Sequence, residues 1–126
     1  MDDAVVNALV AGVVLAAAGV VLAAAGVALV AVGRLGRQGR LPRQHWSGIR
    51  TPSTMASDDA WMAAHRAGGP LIEVSGWSAA ALGSGAALLC VADPHWSTAL
   101  TMAAAGVVLL GATSGVIRGV RAARRE

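Results

Sequence analysis

Three apolar runs, separated by one long polar stretch and one short turn, organise this chain. From Ala4 to Gly33 there are 30 residues without a charge. A helix of that length extends ~45 Å, longer than the ~30 Å hydrocarbon core of a bilayer, so it tilts or protrudes. A second run, Pro70–Ala92, holds a single acid, Glu73, and a third, Thr98–Ile117, is uncharged. Each exceeds the roughly 18 apolar residues that mark a spanning helix. The pattern predicts an all-α polytopic membrane protein, one membrane domain over residues 1–126. Its expected parts are transmembrane helices over about 4–33, 70–92 and 98–117, a polar segment 34–69, a turn 93–97 and a tail 118–126.

Composition agrees with the pattern. Hydrophobic residues make up 56% and charged residues 13%, about half the charged share of ordinary soluble domains. Phe and Tyr are absent, so a soluble core would rest on Ala, Val and Leu, with too little polar surface to cover it. The first run starts with Met1-Asp2-Asp3, acidic rather than basic, and is far longer than the apolar region of a signal peptide. It reads as a retained helix.

Charge gives an orientation. The ten basic residues are all Arg and fall in two clusters: Arg34, Arg37, Arg40, Arg43, Arg50 and Arg66 after the first run, Arg118, Arg121, Arg124 and Arg125 after the third. Three spans put both clusters on one side, and the positive-inside rule makes that side cytoplasmic. The N-terminus and the Asp93 turn are then outside and the C-terminus inside. Clusters flanking apolar runs are the membrane pattern, so no nucleic-acid partner is expected; anionic lipid headgroups are.

The first run repeats itself, placing Gly12, Gly19, Gly26 and Gly33 seven residues apart. That period keeps one stripe facing a partner helix, and glycine on it lets backbones approach closely. In the third run Gly111, Gly115 and Gly119 are four apart, the small-xxx-small spacing. Such stripes serve packing within the chain or between copies of it.

In the polar segment Arg34, Arg37, Arg40 and Arg43 are interrupted by Gly36, Gly39 and Pro42, which argues against a regular helix and for flexible topological anchoring. Gly48 and Pro52 bracket a turn. Ser57 reads as an N-cap, followed by Asp58 and Asp59, and starts a short interfacial helix that runs to about Arg66 and stops at Gly68-Gly69. Trp61 and His65 share a face of it; Asp58 or Asp59 is the expected partner of Arg66. Trp46 and Trp61 suit the headgroup level.

The stretch Gly48-Ile49-Arg50-Thr51-Pro52, then Thr54, Ser57, Trp61 and His65-Arg66 before Gly68-Gly69, resembles the signature of the SdpI family of bacterial membrane proteins. The spacing agrees throughout, and the segment follows one membrane helix and precedes two, as in that family. The resemblance implies immunity-type protection against a secreted, membrane-active toxic peptide. For the founding type it also implies signalling, by holding a transcriptional repressor at the membrane; that longer type carries a further N-terminal membrane domain.

Reactive chemistry is sparse. Glu73 is the one acid inside a run and so a candidate intramembrane polar site, although its place near the cytoplasmic end suits interfacial anchoring. His45, His65 and His95 lack metal-ligand spacing, Cys90 sits in an apolar run, and no nucleophile–base pair or phosphate loop stands out. No enzyme activity, metal or cofactor is expected. Arg50, Trp61, His65 and Arg66 are expected to cluster at the cytoplasmic face. Three functions stay open: immunity to a toxic peptide, a small transporter or channel-like subunit using Glu73, and a membrane docking subunit for a cytoplasmic regulator.

Overall fold

The computed structural model describes residues 1–126 and contains helices and no strands. The elements are α1 (Asp3–Arg37), α2 (Pro52–Met55), α3 (Asp58–Leu89) and α4 (Pro94–Ala123). Each long helix begins at a side-chain oxygen cap that satisfies a free amide of the first turn. Asp2 accepts from the Ala4 amide, Ser57 from the Ala60 amide at 3.0 Å, and Asp93 from the Trp96 amide at 3.1 Å. Pro94 follows its cap at the first helical position, where a missing N–H costs nothing.

The central helix is α3. Antiparallel neighbours α1 and α4 pack along it and touch each other little. The α1 seam is built of facing glycines: Gly19 against Gly83, Gly26 against Gly76, and Gly33 against Gly69. A methyl group on Gly26 would lie 2.6 Å from the Gly76 carbonyl oxygen, and one on Gly76 would lie 2.5 Å from the Gly26 carbonyl oxygen. Backbone thus meets backbone at every second helical turn. At the far end of this seam, away from the arginines, Gly12 faces Cys90 and Val91 more loosely, at 3.9 Å.

A different face of α3 meets α4. Gly68 lies on Gly115, Gly111 on the Ser75 side chain, and Gly119 on the Ala64 carbonyl. Ala79, Ala86 and Ala104 are fully buried, and the Ser97 hydroxyl donates to the Ala86 carbonyl at 2.7 Å. The interior is therefore small residues, while large apolar residues point outward: Val13 is 69% exposed and Leu110 71%. This inverts the order of a water-soluble protein. α1 and α4 are each long and apolar enough to cross a membrane.

The helices run further than the sequence pattern suggests. α1 continues through Arg34 and Gly36 to Arg37, so the first two anchoring arginines sit on a helix rather than in flexible chain. Gly36 does not break it because its bare Cα makes room for His65, whose Cβ is 2.9 Å from where a Gly36 methyl would stand. The helix begun at Ser57 does not stop at Gly68-Gly69; it continues through Pro70 as α3. Those two glycines are seam residues, Gly68 toward α4 and Gly69 toward α1, and tertiary packing overrides their low helix propensity. The second turn is displaced toward the N-terminus: α3 ends at Leu89, short of the expected Ala92, and α4 already starts at Pro94, inside the expected turn, and extends to Ala123.

The seam predicts a contrast between two glycines. Gly76→Ala forces α1 and α3 apart and should cost about 1–3 kcal/mol, the usual scale of overpacking. Gly106→Ala meets nothing within 4 Å and should be neutral or stabilising. Unfolding midpoints of the two variants in detergent check this.

Candidate functional site

The segment between α1 and α3 folds into a cap over the arginine-rich end of the bundle. Two glycines with positive φ turn it, Gly39 at 71° and Gly48 at 92°, a region that side-chain-bearing residues avoid. Gly48 has a second reason to be bare: a methyl there would stand 2.5 Å from His65 Nε2 and 3.0 Å from the Trp61 ring.

The cap closes on one peptide segment, Ile49. Its N–H donates to His65 Nε2 at 2.9 Å, and its carbonyl accepts from the Thr54 hydroxyl at 2.6 Å. Its side chain, 3% exposed, reaches the bare backbones of Gly68 and Gly119 and so ties the cap to both α3 and α4. Thr51 and Thr54 form a reciprocal capping box around α2, with Pro52 at its first turn.

His65 and Trp61 are the buried base of this cap, 2% and 1% exposed, with ring centroids 4.1 Å apart. The Trp61 indole N–H donates to the Leu41 carbonyl at 2.7 Å. His65 Nδ1 lies 2.8 Å from the Trp61 carbonyl. Because Nε2 accepts from an amide, Nδ1 carries the proton and the ring is neutral. Burial pushes the His65 pKa below its ordinary value of 6.5, opposed by the bond to the Trp61 carbonyl.

The expected four-residue cluster is only partly assembled. Trp61 and His65 come together, but Arg50 and Arg66 stay exposed at the rim. Arg50 donates to the His45 carbonyl rather than meeting Asp58 or Asp59. Asp58 pairs with Arg43, Nε to Oδ1 at 3.1 Å, and not with Arg66. Arg43 also donates to the Met55 carbonyl, so it staples loop to helix; with Asp58 82% exposed, the ion pair itself adds little.

A second polar site lies one seam residue away. Glu73, 8% exposed, receives Arg34 Nε on Oε1 at 3.0 Å and Arg37 Nε on Oε2 at 2.5 Å. This clamp bolts α1 to α3 where Gly33 brings their backbones together. Sequence reasoning placed Arg34 and Arg37 in a flexible anchor and missed it. Their spacing of three, on one helical face beside an acid in the partner run, was the available signal. His45 and His95 are exposed, Cys90 is a free thiol, and no group of three or more His, Cys, Asp or Glu side chains lies together.

Because the folded cap holds His65 neutral, its contribution to stability is fully present above about pH 6.5. It is lost as pH falls through the depressed pKa, since the unfolded state takes up the proton first. The protection factor of the Ile49 amide against hydrogen exchange should be flat from pH 8 to pH 7 and decline toward ~pH 5. In His65→Phe the decline should vanish, with cap stability lower by about 1–3 kcal/mol at every pH because the Ile49 N–H loses its acceptor.

A family model described as the SdpI/YfhL protein family matches residues 40–117. No match is found among curated proteins or among solved structures. The matched residues take in the cap from Arg40 onward, all of α3 and most of α4, leaving the Gly39 turn and the Arg34 and Arg37 half of the clamp just outside. With the match covering well over half its length, the chain belongs to the SdpI/YfhL family.

Proposed function

We propose that the chain is a non-catalytic, multi-pass protein of a bacterial plasma membrane that protects its cell against a membrane-active toxic peptide. The observation carrying this reading is the inverted bundle, in which Thr54, His65, Glu73, Ser75 and Ser97 are buried with hydrogen-bonded side chains. Membership of the SdpI/YfhL family supports the membrane-immunity role. Packed between two apolar helices over most of its length, α3 crosses with them, giving three spans. Its weaker hydropathy follows from two faces of Gly, Ala and Ser that never meet lipid. Only the stretch from Asp58 to Gly69, continuous with the span, stands in for a separate interfacial helix.

In this antiparallel arrangement all ten arginines fall at one end, the cytoplasmic one, with the N-terminus and the Asp93 turn outside. Anionic headgroups are the partner of that end. The Glu73 geometry speaks against proton-coupled transport, since both carboxylate oxygens are held by guanidinium groups. The second reading, docking of a cytoplasmic regulator, draws on Trp46, 79% exposed in the arginine-rich loop.

Orientation and protection are tested separately. With Cys90 replaced by Ser, cysteines at Asp3 and His95 should react with an impermeant thiol reagent on intact cells, and those at Gln38 and Ala123 should not. Expression should raise the dose of a pore-forming peptide needed to kill sensitive cells. Gly48→Val, which drives a side chain into His65 and Trp61, should abolish that gain, and Gly106→Ala should keep it. An unchanged lethal dose with the protein present in the membrane fraction rejects the immunity reading.

A further inference from the structure

We infer that the Arg34–Glu73–Arg37 clamp is also a binding seat for the phosphate of an anionic lipid of the cytoplasmic leaflet. The inference rests on the membrane reading above but not on the immunity role.

The clamp is built unlike a closed ion pair. Two guanidiniums face one carboxylate, so the group keeps a net charge of +1. Each arginine spends only its Nε–H on Glu73; the Nη groups of both make no hydrogen bond within the chain. That leaves donor pairs on two adjacent planar forks, the arrangement that suits phosphate oxygens. The Arg34 and Arg37 side chains are 48% and 41% exposed, so the forks are open from outside the bundle. Glu73 takes up only the Nε side of each fork and offsets one of the two charges, so it limits the pull of the seat on an anion.

The surroundings point to a lipid rather than a soluble anion. Arg34 is the first charge after the uncharged run of α1, which sets the seat at the edge of the hydrocarbon. One helical turn further into the apolar part of α3 stands Trp77, 54% exposed, with the Arg34 guanidinium carbon 5.8 Å from its ring centroid. Val74 beside it is 62% exposed. A phosphate on the forks therefore has an indole and an aliphatic side chain beneath it, where a glycerol backbone and the first acyl carbons lie. A free phosphate makes no use of that floor.

The full chain, equilibrated in detergent with phosphatidylglycerol or phosphatidylcholine of equal chain length, is read by native mass spectrometry for retained lipid. Phosphatidylglycerol should be retained in preference, and glycerol phosphate should neither bind nor displace it. Arg34→Gln should lower retention about fivefold, the share of one arginine near a surface. Trp77→Ala should lower it as well, with the unfolding midpoint unchanged. Because Arg34→Gln also loosens the clamp, Glu73→Gln decides. It weakens the bolt between α1 and α3 but raises the seat to two uncompensated charges, so retention should rise while stability falls.

Equal retention of the two lipids, or retention in Glu73→Gln that falls together with stability, overturns the seat and leaves a structural clamp only. Binding of glycerol phosphate as tight as that of the lipid overturns the lipid assignment. Resistance of the protein to alkaline extraction from membranes separates these outcomes from failure of the membrane reading itself.

Discussion

Close approach of backbones along α3 is the constraint on which the rest of this structure depends. Within lipid, apolar side chains gain nothing by leaving one hydrocarbon surface for another, so helices associate through dense contact and polar bonds. Here α3 has a neighbour on two sides, and both seams demand residues without bulk. Gly69, Gly76 and Gly83 serve α1, while Ala64, Gly68 and Ala86 serve the side of α4. What remains exposed on α3 is a narrow strip that includes Val74, Trp77 and Leu88.

The polar groups follow from that spacing. A buried acid is costly unless it is paired. Glu73 is tolerated because Gly33 brings α1 within reach, so that Arg34 and Arg37 both meet its carboxylate. His65 fits under the cap because Gly36 and Gly48 leave room on either side of it. In each case a glycine creates the space and a polar side chain fills it with its hydrogen bonds satisfied.

The seven-residue stripe of α1 was legible in the sequence, as were the helical class, the Ser57 cap and the shared face of Trp61 and His65. The other half of the seam was equally present in the letters: Gly69, Gly76 and Gly83 are also seven apart, with Cys90 continuing the period. It stayed hidden because Gly68-Gly69-Pro70 carries the local signature of a helix stop. Helix propensity is judged one residue at a time, whereas a glycine facing glycine is stabilised by a helix far away in sequence. The same local logic put Arg34 and Arg37 in a loop. The bonds to Ile49 were beyond reach for a different reason: they join His65 and Thr54 to a backbone segment, and backbone partners leave no mark on residue type.

Continuity of α3 gives the arrangement its functional meaning. Trp61, His65 and Glu73 belong to one helix, so the cap and the clamp are fixed to each other by backbone hydrogen bonds rather than by a hinge. Pro70 lies between them and lacks an amide to join that ladder. The helix passes through it nonetheless, held from both sides where Gly68 and Gly69 meet α4 and α1. Had the helix ended at those glycines, the cap would have been a separate body resting on the membrane surface. Instead its orientation is set by the bundle seams, and Ile49 secures it to α4 as well. The signature segment is therefore best understood as the end of the membrane bundle, with its exposed arginines presented on a rigid frame.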